Sequence, residues 1–163
     1  MSAPTDIVIR AERPDQPDVR ALLSELDAYL MTLYEPDHNH ILDVQALLDS
    51  NVAFFVARDC GVAIGCGAAR IMPGEVATAG QAYGEIKRMF VATPYRGRRI
   101  AQRLLADLEA ALRARGIGLA LLETGDRQPE ALRLYERCGY AARTPFGGYE
   151  ENGTSVFYAK VLG

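Results

Sequence analysis

Residues 91–105 read VATPYRGRRIAQRLL, and the change of pattern inside them decides the fold. To their left, residues 85–91, EIKRMFV, have the β-branched and aromatic content of a strand. Pro94 ends any ladder, because it has no N–H to donate. From Arg96 the spacing turns helical: Ile100, Leu104, Leu108 and Leu112 recur at helical intervals, and Leu105 and Ala111 widen the stripe. A strand therefore feeds a Gly-containing turn that opens directly into a long helix. The start of a helix presents unpaired N–H groups and the positive end of the macrodipole, which suits a bound phosphate. Gly97 lets the backbone approach such a ligand, and Arg96, Arg98 and Arg99 add charge beside it. The turn is not a P-loop, since the GK[ST] ending is missing, and only one Gly of a dinucleotide fingerprint is present.

The rest of the composition fits one enzyme-sized domain spanning residues 1–163. Of the 163 residues 49% are hydrophobic and 24% charged, enough for a sizeable core. A net charge of -3 argues against a dedicated nucleic-acid partner, so the isolated RGRR is not read as one. No apolar run approaches the roughly 20 residues needed to cross a bilayer, and no secretory signal is visible at the start. The three cysteines, Cys60, Cys66 and Cys138, have no metal-ligand spacing and read as reduced thiols, Cys138 in the core. The expectation is a cytoplasmic protein with no membrane partner. His38 and His40 are the only histidines, too few for a zinc site or a catalytic triad.

In chain order, a short strand at 6–11 precedes a helix started by Asp15 and Pro17. Its stripe is Val19, Leu22, Leu23, Leu26, Leu30 and Leu33. A polar elbow at 34–40, YEPDHNH, breaks that helix at Pro36; it either packs or lines an acceptor pocket. A second short helix follows at 42–49. Residues 51–58 and 62–72 form two strands around the Asp59-Cys60-Gly61 turn. Gly65 and Gly67 weaken the second, so something approaches closely there or the strand bends. After a loop at 73–80, the strand at 81–91 completes an antiparallel meander. Beyond the long helix, ended by Gly116 and Gly118, residues 119–124 form a buried strand. Strand, helix, strand implies a right-handed crossover to a parallel neighbour. A helix at 128–137, a Pro/Gly-rich loop at 144–153 and a last strand at 154–162 complete an α+β domain with a mixed, mostly antiparallel sheet.

Two segments of this chain resemble the GNAT-type N-acetyltransferases. Residues 96–101, RGRRIA, are similar to that family's acyl-CoA-binding segment Q/R-x-x-G-x-G/A, placed after a strand and a Val-x-Pro step; Arg99 stands where Gly is usual. Residues 121–140, LLETGDRQPEALRLYERCGY, look like its second cofactor segment, with Gln128 at the Asn position, Ala131, Leu134-Tyr135 and Gly139-Tyr140. The resemblance covers residues 84–140. It implies a GNAT-like fold in which two parallel strands splay to take acetyl-CoA as co-substrate, with no metal. Met89, Phe90 and Val91 would offer backbone groups to the pantetheine arm, and the amides of Arg96, Gly97, Arg98, Arg99, Ile100 and Ala101 would hold the pyrophosphate. Because the pattern is already helical from Ile100, Arg99 is expected in helical conformation.

The implied chemistry makes its own demands. An alkyl amine of pKa ~10.4 costs roughly 4.6 kcal/mol to deprotonate at pH 7, so a carboxylate near the acceptor is useful. Glu85 is the first candidate, on the same strand face as Lys87 and Met89 if no bulge intervenes; the competing role is an ion pair with a neighbouring strand or Arg88. Glu123 is the second candidate. The resemblance makes Tyr135 the general acid for the leaving thiolate, against a purely packing role, and puts the oxyanion near the Phe90 N–H. The expected reaction is direct transfer of acetyl from acetyl-CoA to a primary amine in a ternary complex. A non-catalytic acyl-CoA-binding or sensory domain, and a nucleotide-phosphate binder, are the alternatives. The acceptor is a small-molecule amine or a peptide amine, and a homodimer is the open assembly state.

Overall fold

The computed structural model describes residues 6–36 and 41–163. In chain order the elements are β1 (Ile7–Ala11), α1 (Pro17–Leu33), α2 (Val44–Leu47), β2 (Val52–Asp59), β3 (Val62–Met72), β4 (Tyr83–Val91), α3 (Ile100–Ala114), β5 (Leu119–Gly125), α4 (Pro129–Arg137), β6 (Ala141–Arg143) and β7 (Ser155–Val161). They build one seven-stranded sheet in the order β1-β2-β3-β4-β5-β7-β6. Every neighbouring pair is antiparallel except β4–β5. This is the mixed α+β sheet that the sequence implies.

Local chemistry explains most of the boundaries. The β2–β3 hairpin closes through Cys60 (φ 49°) and Gly61 (φ 84°), the two left-handed residues that a tight hairpin turn requires. Pro17 stands in the first turn of α1, as expected, but Gln16 is the capping residue and gives no side-chain cap. Asp15 does not cap the helix; it accepts from Arg13 at 3.0 and 2.8 Å. Of the elbow at 34–40 only residues 34–36 are described, so His38 and His40 lie outside the described residues. The loop at 73–80 holds a single 3₁₀ turn, Val76–Thr78. The sequence pattern does not announce β6. Three residues, two of them exposed, carry no periodicity, and only pairing with β7 makes them a strand.

The two faces of the sheet carry different loads. Val19, Leu22, Leu23 and Leu26 of α1 pack on Phe54, Val56, Cys66 and Phe90. On the opposite face Leu104, Leu108 and Leu112 of α3 are fully buried, each contributing about 1.5–3 kcal/mol by leaving water. Their seats are glycines. A Cβ at Gly65 would lie 3.2 Å from the Phe90 carbonyl and 3.4 Å from Leu104, and one at Gly67 would lie 2.5 Å from the Met89 sulfur and 3.0 Å from Leu108. A Cβ at Gly84 would collide with Leu112. The close approach anticipated for β3 is thus made by α3 and by Met89.

Two irregularities set β4 apart from the other strands. Its parallel ladder with β5 lasts three residue pairs, Gly84–Ala120 to Ile86–Leu122, and beyond these the strands continue without pairing. Its antiparallel register with β3 slips between Lys87 and Phe90, where Arg88 takes φ 60°. That slip is a β-bulge. It reverses the alternation, so the expectation that Met89 shares a face with Glu85 and Lys87 is corrected. Met89 packs with Leu108 on the α3 side, whereas Glu85 and Lys87 open toward the loop that carries Phe146 and Tyr149.

Candidate active site

Three cavities are arranged along β4, two of them where it runs on beyond its ladder with β5. The largest, about 550 Å³, is a groove between the start of α3 and the start of α4. The helix start is well suited to anions. Arg103 is the first residue of α3 whose N–H reaches back into the helix, to the Arg99 carbonyl at 3.1 Å, and the capping residue Arg99 gives no side-chain cap. The amides of Ile100, Ala101 and Gln102 are therefore left for a ligand at the positive end of the dipole. Gly97 has φ 81°, and a Cβ there would meet nothing within 4 Å. Glycine serves this turn through its backbone angle, not through crowding.

Arg99 departs from the sequence expectation. Its backbone is left-handed, φ 61° and ψ 22°, because it is the capping residue through which the chain turns into α3; the helix starts one residue later. A non-glycine residue there bears about 1–2 kcal/mol of strain. Of the ten residues expected to hold the cofactor, Met89, Phe90, Val91, Arg96, Gly97, Arg99, Ile100, Ala101 and Gln128 line the groove. Arg98 does not; its guanidinium sits over the Tyr95 ring, 5.3 Å from the centroid. Arg96 is anchored by a 3.0 Å bond from Nε to the Val91 carbonyl and lies 5.7 Å from the ring centroids of Tyr29 and Phe90. Leu134, quoted in the second cofactor segment, and Gln102, one residue past the first, also line the groove; Tyr29 does too and was missed, since nothing in the sequence says that α1 reaches across to it.

A throat of about 120 Å³ runs on from the groove between the diverging strands. Met89, Gln128, Ala131 and Tyr135 border both spaces. Tyr135 is buried with its ring against Tyr140 and Tyr158, and its hydroxyl has no hydrogen-bond partner among the described residues. Burial, with the charges of Cys138 and Glu123 adding to it, pushes its pKa far above the ordinary phenol value. It is therefore a phenol, able to donate, at neutral pH. Glu123 lines the throat and accepts from Ser155 at 2.7 Å across the β5–β7 pair.

The third cavity, about 400 Å³, shares Ile41 and Lys87 with the throat. Glu85 is buried at its inner wall. Its carboxylate accepts from Arg70 at 3.2 Å, from Lys87 at 3.4 Å and from the Tyr149 hydroxyl at 2.5 Å. Lys87 also donates to the Tyr149 oxygen at 2.7 Å. Burial and the Glu85 charge hold the Tyr149 phenol far above its ordinary pKa, so that the proton stays on Tyr149. The ion pair weighed against Glu85 as a base exists, with Arg70 of the neighbouring strand and not with Arg88. Tyr149 and Phe146 were missed in the sequence, although aromatics around Gly147 and Gly148 in a Pro/Gly-rich loop were a readable signal.

The thiols of Cys60, Cys66 and Cys138 are free, and Cys138 is half-buried at the edge of the core, not inside it. Among the described residues no cluster of three or more His, Cys, Asp or Glu could hold a metal ion, and no helix is long and apolar enough to cross a membrane.

This geometry has close counterparts. The sequence profile of the acetyltransferase (GNAT) family matches residues 19–140. An IAA acetyltransferase of Azospirillum brasilense is 43% identical over 157 residues, covering 96% of this chain and 99% of that protein. A crystal structure of a Klebsiella pneumoniae protein described as an acyl-CoA N-acyltransferase superposes with a TM-score of 0.76 at 34% identity, over 96% of this chain and 97% of the other. The PaiA N-acetyltransferase of Thermoplasma acidophilum, solved with coenzyme A, shares the fold at 15% identity, with a TM-score of 0.72 over 96% of this chain and 99% of that one. With a helix start open to phosphate beside two splayed parallel strands, the chain belongs to the acetyltransferase (GNAT) family, as an acetyl-CoA-dependent N-acetyltransferase.

Proposed function

We propose that acetyl-CoA lies in the groove, that its thioester enters the throat, and that a primary amine meets it from the cavity of Glu85. The observation that carries this reading is that the throat shares Met89 and Tyr135 with the groove and Lys87 with the third cavity. Both substrates are then bound at once, and the amine nitrogen attacks the thioester carbon directly. The amides of Ile100, Ala101 and Gln102 hold the pyrophosphate, assisted by Arg96. The backbone of Met89, Phe90 and Val91, which has no β5 partner, receives the pantetheine arm.

As the C–N bond forms, charge develops on the thioester oxygen and is met by the Phe90 N–H. Glu85 takes the proton lost by the amine, directly or through a water, with Glu123 as the second candidate. Collapse breaks the C–S bond, and Tyr135 donates its proton to the departing thiolate. Its place in the wall shared by groove and throat supports that role.

The reading is tested by a thermal melt with acetyl-CoA and by thiol release with an amine library. A hundredfold excess of acetyl-CoA over its dissociation constant stabilises by about 2.7 kcal/mol. Free CoA thiol appears only when an accepted amine is present. A melt unmoved by millimolar acetyl-CoA overturns the assignment of the groove, and a shifted melt without thiol release overturns the assignment of catalysis.

A further inference from the structure

The third cavity says what kind of amine it takes. Three ionisable side chains of opposite sign line it: Arg70 and Lys87 against the single carboxylate of Glu85. Glu85 is shared by both cations, so one positive charge remains uncompensated inside the walls. Glu75 is the next carboxylate, but it stands behind the wall, with its oxygens bonded to the Tyr83 hydroxyl at 3.1 Å and the Gly147 N–H at 2.6 Å. Arg70 spends one Nη on Glu85 and has a buried Nε without a partner, while its side chain is 29% exposed. A guanidinium held this way has donors to spare and a planar edge that matches a carboxylate.

The remaining lining is apolar. Phe146 packs edge-on against Tyr83 and Tyr149, with centroids 5.6 and 5.2 Å apart, and Ile41, Leu42 and Met72 complete the wall. A space of about 400 Å³ is at the lower end of small-molecule pockets and too small for a folded partner. Arg70 and Lys87 in the walls of this cavity, the latter also bordering the throat, repel an acceptor that carries further positive charge.

Resting on the proposed passage of acetyl-CoA and amine through the three cavities, we infer that the acceptor is an amino carboxylate with an apolar or aromatic side chain. Arg70 takes its carboxylate and the Phe146–Tyr149 wall takes its side chain. Its amino group then points to the throat past Lys87. The nitrogen forms the amide bond to the acetyl carbon and the C–S bond breaks. The amine proton passes to Glu85, the thiolate gains a proton to leave as CoA thiol, and the product is an N-acetyl amino acid.

The test pairs L-phenylalanine with phenethylamine and L-methionine with 3-(methylthio)propylamine, with spermidine as the cationic control, at saturating acetyl-CoA. The expected kcat/KM favours each amino acid over its decarboxylated partner by about 10- to 100-fold, the size of a charge-assisted contact. Arg70→Met brings that ratio close to one, and Arg70→Lys restores part of it. The ratio is read because loss of overall activity does not move it. Where the variant fails to fold, 3-phenylpropionate serves instead on the wild type: it competes with the amine and not with acetyl-CoA. Faster turnover of the decarboxylated amines or spermidine, a ratio that Arg70→Met leaves intact, or no amino-acid turnover while acetyl-CoA still raises the melting temperature overturns the acceptor assignment alone. A melt that acetyl-CoA does not move overturns the underlying reading instead.

Discussion

Arg88 Nη1 donates to Asp27 Oδ1 at 2.5 Å, joining the left-handed bulge of β4 to α1. The guanidinium is almost wholly buried, at 4% exposure, whereas Asp27 is 36% exposed. Nε of Arg88 has no partner, so one carboxylate neutralises a buried cation at the residue that turns Met89 toward α3.

Asp27→Asn leaves that cation buried without its counter-charge. The expected cost is about 2 kcal/mol, below the 3–5 kcal/mol of a fully buried pair because Asp27 is partly in water. Urea unfolding measures it. Asp27 does not line the groove, so a rise in the KM for acetyl-CoA reports the loosened bulge. An unchanged midpoint shows that the pair is idle.

Arg99 separates backbone from charge. Arg99→Gly relieves a left-handed capping residue and is expected to raise stability by up to about 1 kcal/mol, with acetyl-CoA affinity within tenfold of wild type. Arg99→Val places a β-branched residue at the same angle and lowers both. Equal melting temperatures for the two variants contradict the left-handed cap.

Tyr135→Phe keeps the ring and removes only the hydroxyl. That hydroxyl has no hydrogen-bond partner among the described residues, so the melting temperature is expected to stay put. Turnover is expected to fall by about 10- to 10³-fold, with acetyl-CoA affinity unchanged. A stable variant with full turnover removes Tyr135 from the chemistry.

Alkaline stability depends on Tyr83. Burial, and next the Glu75 charge beside its hydroxyl, push its pKa up to about 12. The unfolded value is about 10, so the stability it represents is complete below that pH. Above it the unfolded chain loses the proton first, and stability declines as pH rises from about 10 through 12. Melts at pH 8, 10 and 11 are expected to fall progressively, and Tyr83→Phe to flatten the fall. A parallel decline in the variant assigns the loss to other groups.

Much of the fold and of the groove was legible in residues 84–140, where strand, turn and helix each have a local signature and from which all of the groove but its α1 wall is built. That Glu85 and Tyr135 stand in cavity walls was readable for the same reason. The bulge at Arg88 was not, because a slip in register is a property of two strands at once and leaves no period of its own. Nor was the conformation of Arg99, since a helical stripe starting at Ile100 does not fix the angle of the residue before it. Arg70, Tyr149 and Tyr29 belong to elements far from the motif in sequence, and only the sheet brings them to the cavities.

The three-pair seam between β4 and β5 gives the sheet a weak line through its middle. On one side lie β1 to β4 under α1, on the other β5, β7 and β6, and the crossover helix α3 spans between them. Past Ile86 the edge of β4 has open valences where a further strand would sit. A pantetheine arm laid along that edge, as proposed, stands in for the missing strand and completes the hydrogen bonding that β5 leaves open.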